Sequence, residues 1–201
     1  MSTCDTGYRP EPAAGPRIRS DVVDVYVFQR SVREPKGLWR PARRGGAGGV
    51  GSGTGGASAG RAGGCLPPGV RGGAPLGGSW HPVMGHVERG EKATDTLWRE
   101  LREELGLEAK ELVGAWALEQ VHPFFIAELD AIVMSPRFAA EVKPGWTPTL
   151  NEEHSAFRWV AARDAAEAFM WPGQISACRE IVDRLLPEAS LMRDWVRVSK
   201  P

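Results

Sequence analysis

The segment between residues 85 and 107 constrains this chain more than any other part of its sequence. Glu100, Glu103 and Glu104 stand at positions i, i+3 and i+4, so a helix places them on one face within about one turn. A neighbouring apolar stripe that can dock on a β-sheet is formed by Leu97, Leu101 and Leu105. We therefore predict a helix over residues 93–105 that packs on a sheet and carries three carboxylates along one side.

Like charges this close repel one another, by on the order of 0.2–0.5 kcal/mol for an exposed i,i+4 pair. One interpretation is a solvated helix face, in which Arg99 and Arg102 relieve the repulsion. The other is a site for a hard divalent cation, because Mg²⁺ takes oxygen ligands and usually binds one or two carboxylates together with substrate phosphates.

The spacing of the whole segment favours the cation site. Gly85 is followed after five residues by Glu91, and Glu91 after seven more by Arg99 and Glu100. The pattern then continues with an aliphatic residue, any residue and two glutamates. It ends with any residue, Gly106 and a second aliphatic residue. This order matches every fixed position of the Nudix box, so the chain resembles the Nudix hydrolase family. The resemblance implies an α/β fold, namely a Nudix-type α/β/α sandwich with a mixed β-sheet and the Nudix loop-helix-loop. It also implies an enzyme that hydrolyses a diphosphate linkage with Mg²⁺ or, alternatively, Mn²⁺.

The resemblance assigns the metal site residue by residue. Glu103 and Glu104 match the main metal-binding glutamates of the box, and Glu100 matches a further ligand or a water-activating base. Gly85 matches the glycine whose backbone lies close to metal or phosphate. Glu100 and Glu103 are accordingly predicted to be catalytic as well as metal-binding.

Two further box residues are expected to support that site. Arg99 matches the arginine that orients a box glutamate by ion pairing, and it is predicted to be catalytic. Glu91 matches the loop glutamate that supports the site, and we place it among the substrate-binding residues.

Outside the box, the sequence looks like the branch that includes dATP pyrophosphohydrolases and dihydroneopterin triphosphate pyrophosphatases. The likeness lies in residues 80–88, 151–160 and 169–174. In that branch a glutamate before a histidine, here Glu153 and His154, can reach the metal site, so Glu153 is a candidate extra ligand or base. The implied reaction releases pyrophosphate from a nucleoside triphosphate or a related compound. Alternatives are a hydrolase for dinucleoside polyphosphates or nucleotide sugars, and a nucleotide-binding module without turnover.

Substrate contacts are predicted from side-chain chemistry alone. Trp80 and Phe124 are candidate platforms for a base or pterin, with Trp116 and Trp171 as further aromatic candidates, although aromatic residues more often fill cores. His86, His122 and His154 are candidate phosphate contacts, although a lone histidine is weak evidence. Trp39 and Trp146 are interpreted as packing residues.

The order of elements predicts one Nudix hydrolase domain over residues 18–190, between a flexible tail over 1–17 and a C-terminal tail over 191–201. Most of the 25 glycines lie between Gly45 and Gly78, and such a stretch buries too little apolar surface to offset its ordering entropy. We therefore predict a flexible insertion over 41–78. Strands are expected over 18–29, 38–40, 112–121, 124–134 and 156–160, and further helices over 162–170 and 175–186, separated at Pro172–Gly173.

Composition excludes several other classes of protein. The formal net charge is +0, which gives no basic footprint for nucleic acid or an anionic membrane. No apolar run approaches the length of a membrane span, and the three cysteines form no zinc or disulfide pattern. We expect a cytoplasmic protein with a small phosphorylated substrate, and a homodimer is left open.

Overall fold

The computed structural model describes residues 15–30, 36–41, 80–151, 157–161, 164–165, 169, 171–187 and 190–199, and the fold is given for these. The helices are α1 (Ala93–Leu105), α2 (Pro172–Glu180) and α3 (Leu191–Trp195). The strands are β1 (Arg17–Arg19), β2 (Val22–Gln29), β3 (Lys36–Pro41), β4 (Trp80–His81), β5 (Val83–His86), β6 (Leu112–Ala117), β7 (Phe124–Ile126), β8 (Ala131–Val133), β9 (Arg137–Val142), β10 (Arg158–Ala161) and β11 (Arg197–Val198).

These strands form two sheets in the described part of the chain. The larger one is mixed and has the order β10-β3-β2-β9-β6-β11, with β4 paired to β3 and β5 paired to β2. Strands β2 and β9 are parallel, whereas β2 and β5 are antiparallel. The smaller sheet has the order β1-β8-β7.

Strand β2 lies inside the larger sheet and is buried along its whole length, which fits its nearly continuous run of β-branched and aromatic residues. Side chains alternate between the two faces of a strand. Val23, Val25 and Val27 pack with α1, whereas Tyr26 and Phe28 pack on the opposite face with residues of α2. Helices therefore cover the sheet from both sides.

The predicted helix over 93–105 is confirmed at both ends. Its three leucines are at most 1% exposed and pack on the valines of β2. Gly106 adopts the left-handed conformation, with φ of 62°, and its N–H donates to the Arg102 carbonyl while the N–H of Leu107 donates to the Leu101 carbonyl. Glycine ends the helix here because it adopts positive φ without steric cost.

Several predicted strands differ from the observed ones. The strand predicted over 18–29 is divided into β1 and β2, and the strand over 124–134 is interrupted by a 3-10 helix at Ala127–Leu129. That helix ends at Asp130, which has φ of 44° and turns the chain back, so that β7 and β8 pair antiparallel. Strand β6 ends at Ala117, earlier than predicted.

Strand β9 was not predicted, although it lies between β2 and β6 and all six of its residues are buried. Arg137 and Glu141 interrupt its apolar pattern. Both charges are paired inside the protein, since Arg137 Nε lies 3.4 Å from Asp24 Oδ2 and Glu141 Oε1 lies 2.9 Å from Arg30 Nε.

The last helices also differ from the prediction. Pro172–Gly173 was predicted to separate two helices, but Pro172 begins α2, because proline fits the first helical turn, where its missing N–H costs nothing. A π-helical segment, Ile181–Leu185, continues α2. The predicted C-terminal tail contains α3 and β11, and β11 pairs with β6.

Other predictions fall wholly or partly outside the described residues. The strand predicted over 38–40 lies within β3, which also takes the first residue of the insertion predicted over 41–78; the rest of that insertion is not described. The strand over 156–160 corresponds to β10, and of the helix over 162–170 only 164, 165 and 169 are described. None of the described helices contains an apolar stretch of the length that a membrane span requires.

Candidate active site

The site begins where α1 crosses strand β5. In the β2–β5 ladder Gly85 lies opposite Val23, on the sheet face that α1 covers. A Cβ built on Gly85 would lie 2.0 Å from Oε1 of Glu100 and 2.1 Å from its Cδ. The absence of a side chain at residue 85 is therefore what lets the Glu100 carboxylate lie against the β5 backbone.

Arg99 connects the loop before the helix to the carboxylates on it. Its Nη1 donates to Oε1 of Glu100 at 2.8 Å and to Oε2 of Glu103 at 3.2 Å. Its Nη2 donates to the backbone carbonyl of His86 at 2.7 Å. The planar guanidinium, with its fixed fork of donors, thus ties the carboxylates to the end of β5.

Glu91 holds the other side of that guanidinium. Arg99 Nε donates to Glu91 Oε1 at 2.9 Å, and Nη2 donates to Oε2 at 3.1 Å. Glu91 Oε2 also accepts from the Glu88 N–H at 3.0 Å and from the Thr96 hydroxyl at 2.9 Å. The hydrogen bonds from Arg99, followed by that from Glu88, lower the pKa of Glu91 to about 2, and the same contact with Glu91 raises the pKa of Arg99.

Glu100 and Glu104 form a crowded pair of carboxyl groups. Glu100 is 8% exposed and Glu104 is 4% exposed, and both belong to α1. Burial, followed by the nearby charge of Glu104, raises the pKa of Glu100 to about 7, although Arg99 opposes the shift. The Glu103 side chain differs from these two because it is half exposed, at 50%.

The carboxylates fit a hard divalent cation shared with a substrate. Among the described residues no three His, Cys, Asp or Glu side chains close around one point, so the protein alone does not supply a complete cage. Mg²⁺ seldom requires one, since it keeps waters and substrate phosphates among its ligands. Oxygen donors from one helical turn suit such an ion, and its positive charge would favour the ionised form of these carboxyl groups.

The predicted substrate residues do not all lie in one place. His86 ends β5 and is half-buried; burial lowers the pKa of its side chain, and its carbonyl accepts from Arg99. His122 Nε2 lies 3.2 Å from Gln120 Oε1, and His122 packs near Gly173 at the start of α2. The contacts of His122 therefore lie on the α2 face of the sheet.

Phe124, Trp146 and Trp80 each contact other residues within the described part of the fold. Phe124 packs on Val22, Ile126 and Val133, and Trp146 packs on the core beside α1 and donates to Glu111. The guanidinium of Arg158 lies 4.8 Å from the centre of the Trp80 ring.

Two other aromatic candidates differ sharply in exposure. Trp116 is 0% exposed, which contradicts its interpretation as a substrate contact, whereas Trp171 is 42% exposed. Glu153 and His154 lie outside the described residues.

Thr96 was missed by the sequence argument although its hydroxyl contacts Glu91. It occupies one of the seven variable positions between Glu91 and Arg99, so no motif marks it. The only available signal was helical geometry, because Thr96 lies one turn after Lys92 at the start of α1.

Comparison with known proteins identifies the class to which this fold and site belong. The model of the NUDIX domain family matches residues 69–180, which is more than half of the 201-residue chain. The chain therefore belongs to the Nudix family, and the expected α/β fold is confirmed.

Curated relatives match part of this chain. The chain is 33% identical over 89 residues to the mouse bis(5'-nucleosyl)-tetraphosphatase (asymmetrical), covering 44% of this chain and 59% of that protein. It is 34% identical over 110 residues to an octanoyltransferase of Myxococcus xanthus, covering 54% of this chain but 29% of that protein. The chain thus spans less than two thirds of the length of these curated relatives.

Solved structures share the fold at low sequence identity. A C. elegans Ap4A hydrolase in a binary complex superimposes with a TM-score of 0.56 at 16% identity, covering 81% of this chain and 94% of that one. The E. coli dihydroneopterin triphosphate pyrophosphohydrolase gives a TM-score of 0.51 at 17% identity, with 85% and 99% covered. At these identities the two likenesses show the fold alone.

Proposed function

We propose that this protein hydrolyses a phosphoanhydride bond of a nucleoside polyphosphate, with Mg²⁺ as its preferred cation and Mn²⁺ as a substitute. The observation that carries the proposal is the Glu100 carboxylate, which lies buried against Gly85 and beside Glu104. Burying two carboxyl groups side by side costs stability. Binding a cation for a hydrolytic reaction would explain why the carboxyl groups of Glu100 and Glu104 are buried despite this cost. On a solvated helix face, these carboxyl groups would instead lie in water.

In this proposal the three glutamates of α1 and Arg99 have separate tasks. Glu103 and Glu104 hold the cation, and Glu100 accepts the proton of the attacking water at its carboxylate. When bound, the cation supplies charge neutralisation for the phosphates and makes the attacking water more acidic. Arg99 holds the Glu100 and Glu103 side chains at a fixed position relative to the end of β5, because it donates to both carboxylates and to the His86 carbonyl.

Glu153 is proposed as a further ligand or base on the strength of its branch resemblance. His86 and Trp80 are proposed as substrate contacts because His86 ends β5, the strand that carries Gly85, and Trp80 lies in β4 shortly before it. Phe124 and His122 remain candidates for a substrate that extends beyond the carboxylate site.

Two substrate classes are supported by separate observations. A dinucleoside tetraphosphate is favoured by the sequence identity with the mouse tetraphosphatase. A nucleoside triphosphate or dihydroneopterin triphosphate, cleaved with release of pyrophosphate, is favoured by the likeness of residues 80–88. We favour the dinucleoside tetraphosphate over the triphosphates as the substrate, because that proposal rests on an alignment of 89 residues.

A substrate panel tests the proposal and separates the two classes. The purified chain with Mg²⁺ is incubated with diadenosine tetraphosphate, dNTPs, dihydroneopterin triphosphate, nucleotide sugars and ADP-ribose, and all phosphorylated products are quantified. Asymmetric cleavage into ATP and AMP supports the first class, whereas pyrophosphate release from a triphosphate supports the second. Tight binding of a nucleotide without turnover of any compound would refute the enzyme and favour a binding module.

A further inference from the structure

Thr96 is a polar residue with no exposed surface, within the helix that carries the carboxylates. A buried hydroxyl needs a hydrogen-bond partner, and two acceptors lie within reach. Glu91 Oε2 is 2.9 Å from Thr96 Oγ1, and the carbonyl oxygen of Lys92 is 3.3 Å away.

The hydroxyl has a single proton and can donate fully to only one of these acceptors. The bond to Glu91 is shorter and ends on a carboxylate, and hydrogen bonds to ionised acceptors are roughly twice as strong as neutral ones. The bond to Lys92 would be the ordinary contact of a helical threonine with the preceding turn. The geometry therefore favours Glu91 as the acceptor.

The position of Glu91 is transmitted directly to the carboxylates. The two oxygens of Glu91 accept from Nε and Nη2 of Arg99, and Nη1 of Arg99 donates to Glu100 and Glu103. A rotation of the Glu91 carboxylate would therefore turn the guanidinium and move the groups on its other edge. The exposed fraction of each of the Glu91 and Arg99 side chains is 20% or less, so these groups have little room to find other partners.

We propose that Thr96 is a positioning residue whose hydroxyl fixes the Glu91 carboxylate, and through it Arg99, in the orientation that serves Glu100 and Glu103. This inference rests on the proposed function. The effect of Thr96 is partial, because the Glu88 N–H and Arg99 continue to hold Glu91 when the hydroxyl is removed.

Thr96→Val removes the hydroxyl but keeps the shape of the side chain, and Thr96→Ser keeps the hydroxyl but removes a methyl group. We expect Thr96→Val to lower kcat by about tenfold, the lower end of the losses seen when a hydrogen-bond partner that orients a site residue is removed, while KM changes less than threefold. Thr96→Ser should keep kcat within about threefold of the unmodified protein. In a Glu91→Ala background, Thr96→Val should change kcat less than twofold, because the hydroxyl then has no carboxylate to hold.

Hydrogen exchange at the Arg99 Nε–H gives a second readout that needs no turnover. Its NMR signal is assigned by its loss in Arg99→Lys, and its exchange rate should rise in Thr96→Val but not in Thr96→Ser. Unchanged exchange and unchanged kcat in Thr96→Val would overturn the positioning role, as would equal losses in the valine and serine variants. If the unmodified protein turns over no phosphoanhydride, the proposed function fails, and the exchange rates still decide the role of Thr96.

Discussion

Replacing Gly85 with alanine should disable the site through one steric contact. The new Cβ would lie 2.0 Å from Glu100 Oε1 and 2.2 Å from its Cγ, so Glu100 must move by roughly 1 Å or more to restore van der Waals separation. Misplacing a catalytic group by that distance can cost on the order of 100-fold in rate. We therefore expect kcat/KM of Gly85→Ala to fall about 100-fold, and its free energy of unfolding to fall by about 1–3 kcal/mol from overpacking.

A double-mutant cycle tests the steric origin of that loss. In a Glu100→Ala background the Cβ at residue 85 enters vacated space, and alanine in a strand is favoured over glycine by about 0.5–1 kcal/mol. Gly85→Ala should therefore not destabilise the Glu100→Ala protein, as measured by urea denaturation. Gly15→Ala is the matched control, because a Cβ there meets nothing within 4 Å. Full activity of Gly85→Ala, or an equal destabilisation in both backgrounds, would refute this reasoning.

Two further predictions concern stability. Leu101 is 1% exposed in the core beneath α1, so Leu101→Ala should lower the free energy of unfolding by about 2–5 kcal/mol. Leu191 is 85% exposed, so Leu191→Ala should change the free energy of unfolding by less than about 0.5 kcal/mol. Similar losses in both variants would contradict the placement of Leu101 in the core. Burial raises the pKa of Asp24 from 3.8 to about 6, against the lowering effects of Arg137 and Ser135. The folded state therefore binds the Asp24 proton more tightly than the unfolded state does. The resulting contribution to the free energy of unfolding is fully present below about pH 4, and up to ~3 kcal/mol of it is lost as the pH rises through 6. Asp24→Asn lacks a titrating group, so the difference in unfolding free energy between the two proteins should change by about that amount between pH 4 and pH 8; a constant difference would contradict the pKa.

The helix of the site could be predicted from sequence to the residue, because local signals coincide there. Leu97, Leu101 and Leu105 mark the buried face, and Gly106 supplies the left-handed end. Strand β9 could not be predicted in this way, because Arg137 and Glu141 break its apolar pattern. Their partners, Asp24 and Arg30, are distant in the sequence.

Some residues of the site could likewise be identified from the sequence, whereas their contacts could not. The box names Glu91, Arg99 and Glu100 by spacing, but only three-dimensional contacts show that Arg99 joins the carboxylates to the His86 carbonyl. Thr96 contributes through a hydroxyl at a position that the box leaves variable, so spacing gave no reason to single it out. Trp116 failed as a substrate candidate because composition cannot distinguish a buried indole from an exposed one.

In our proposal the carboxylates of α1 carry a cation-dependent hydrolysis, and the Glu103→Gln variant tests this most directly. Its side chain is half exposed, so the substitution should leave folding intact, and Glu108→Gln, on an exposed residue beyond the helix, is the control. With diadenosine tetraphosphate or the best substrate of the panel, we expect Mg²⁺-dependent kcat to fall by about 100-fold or more in Glu103→Gln and to stay unchanged in Glu108→Gln. Undiminished Mg²⁺-dependent turnover by a folded Glu103→Gln protein would contradict the claim.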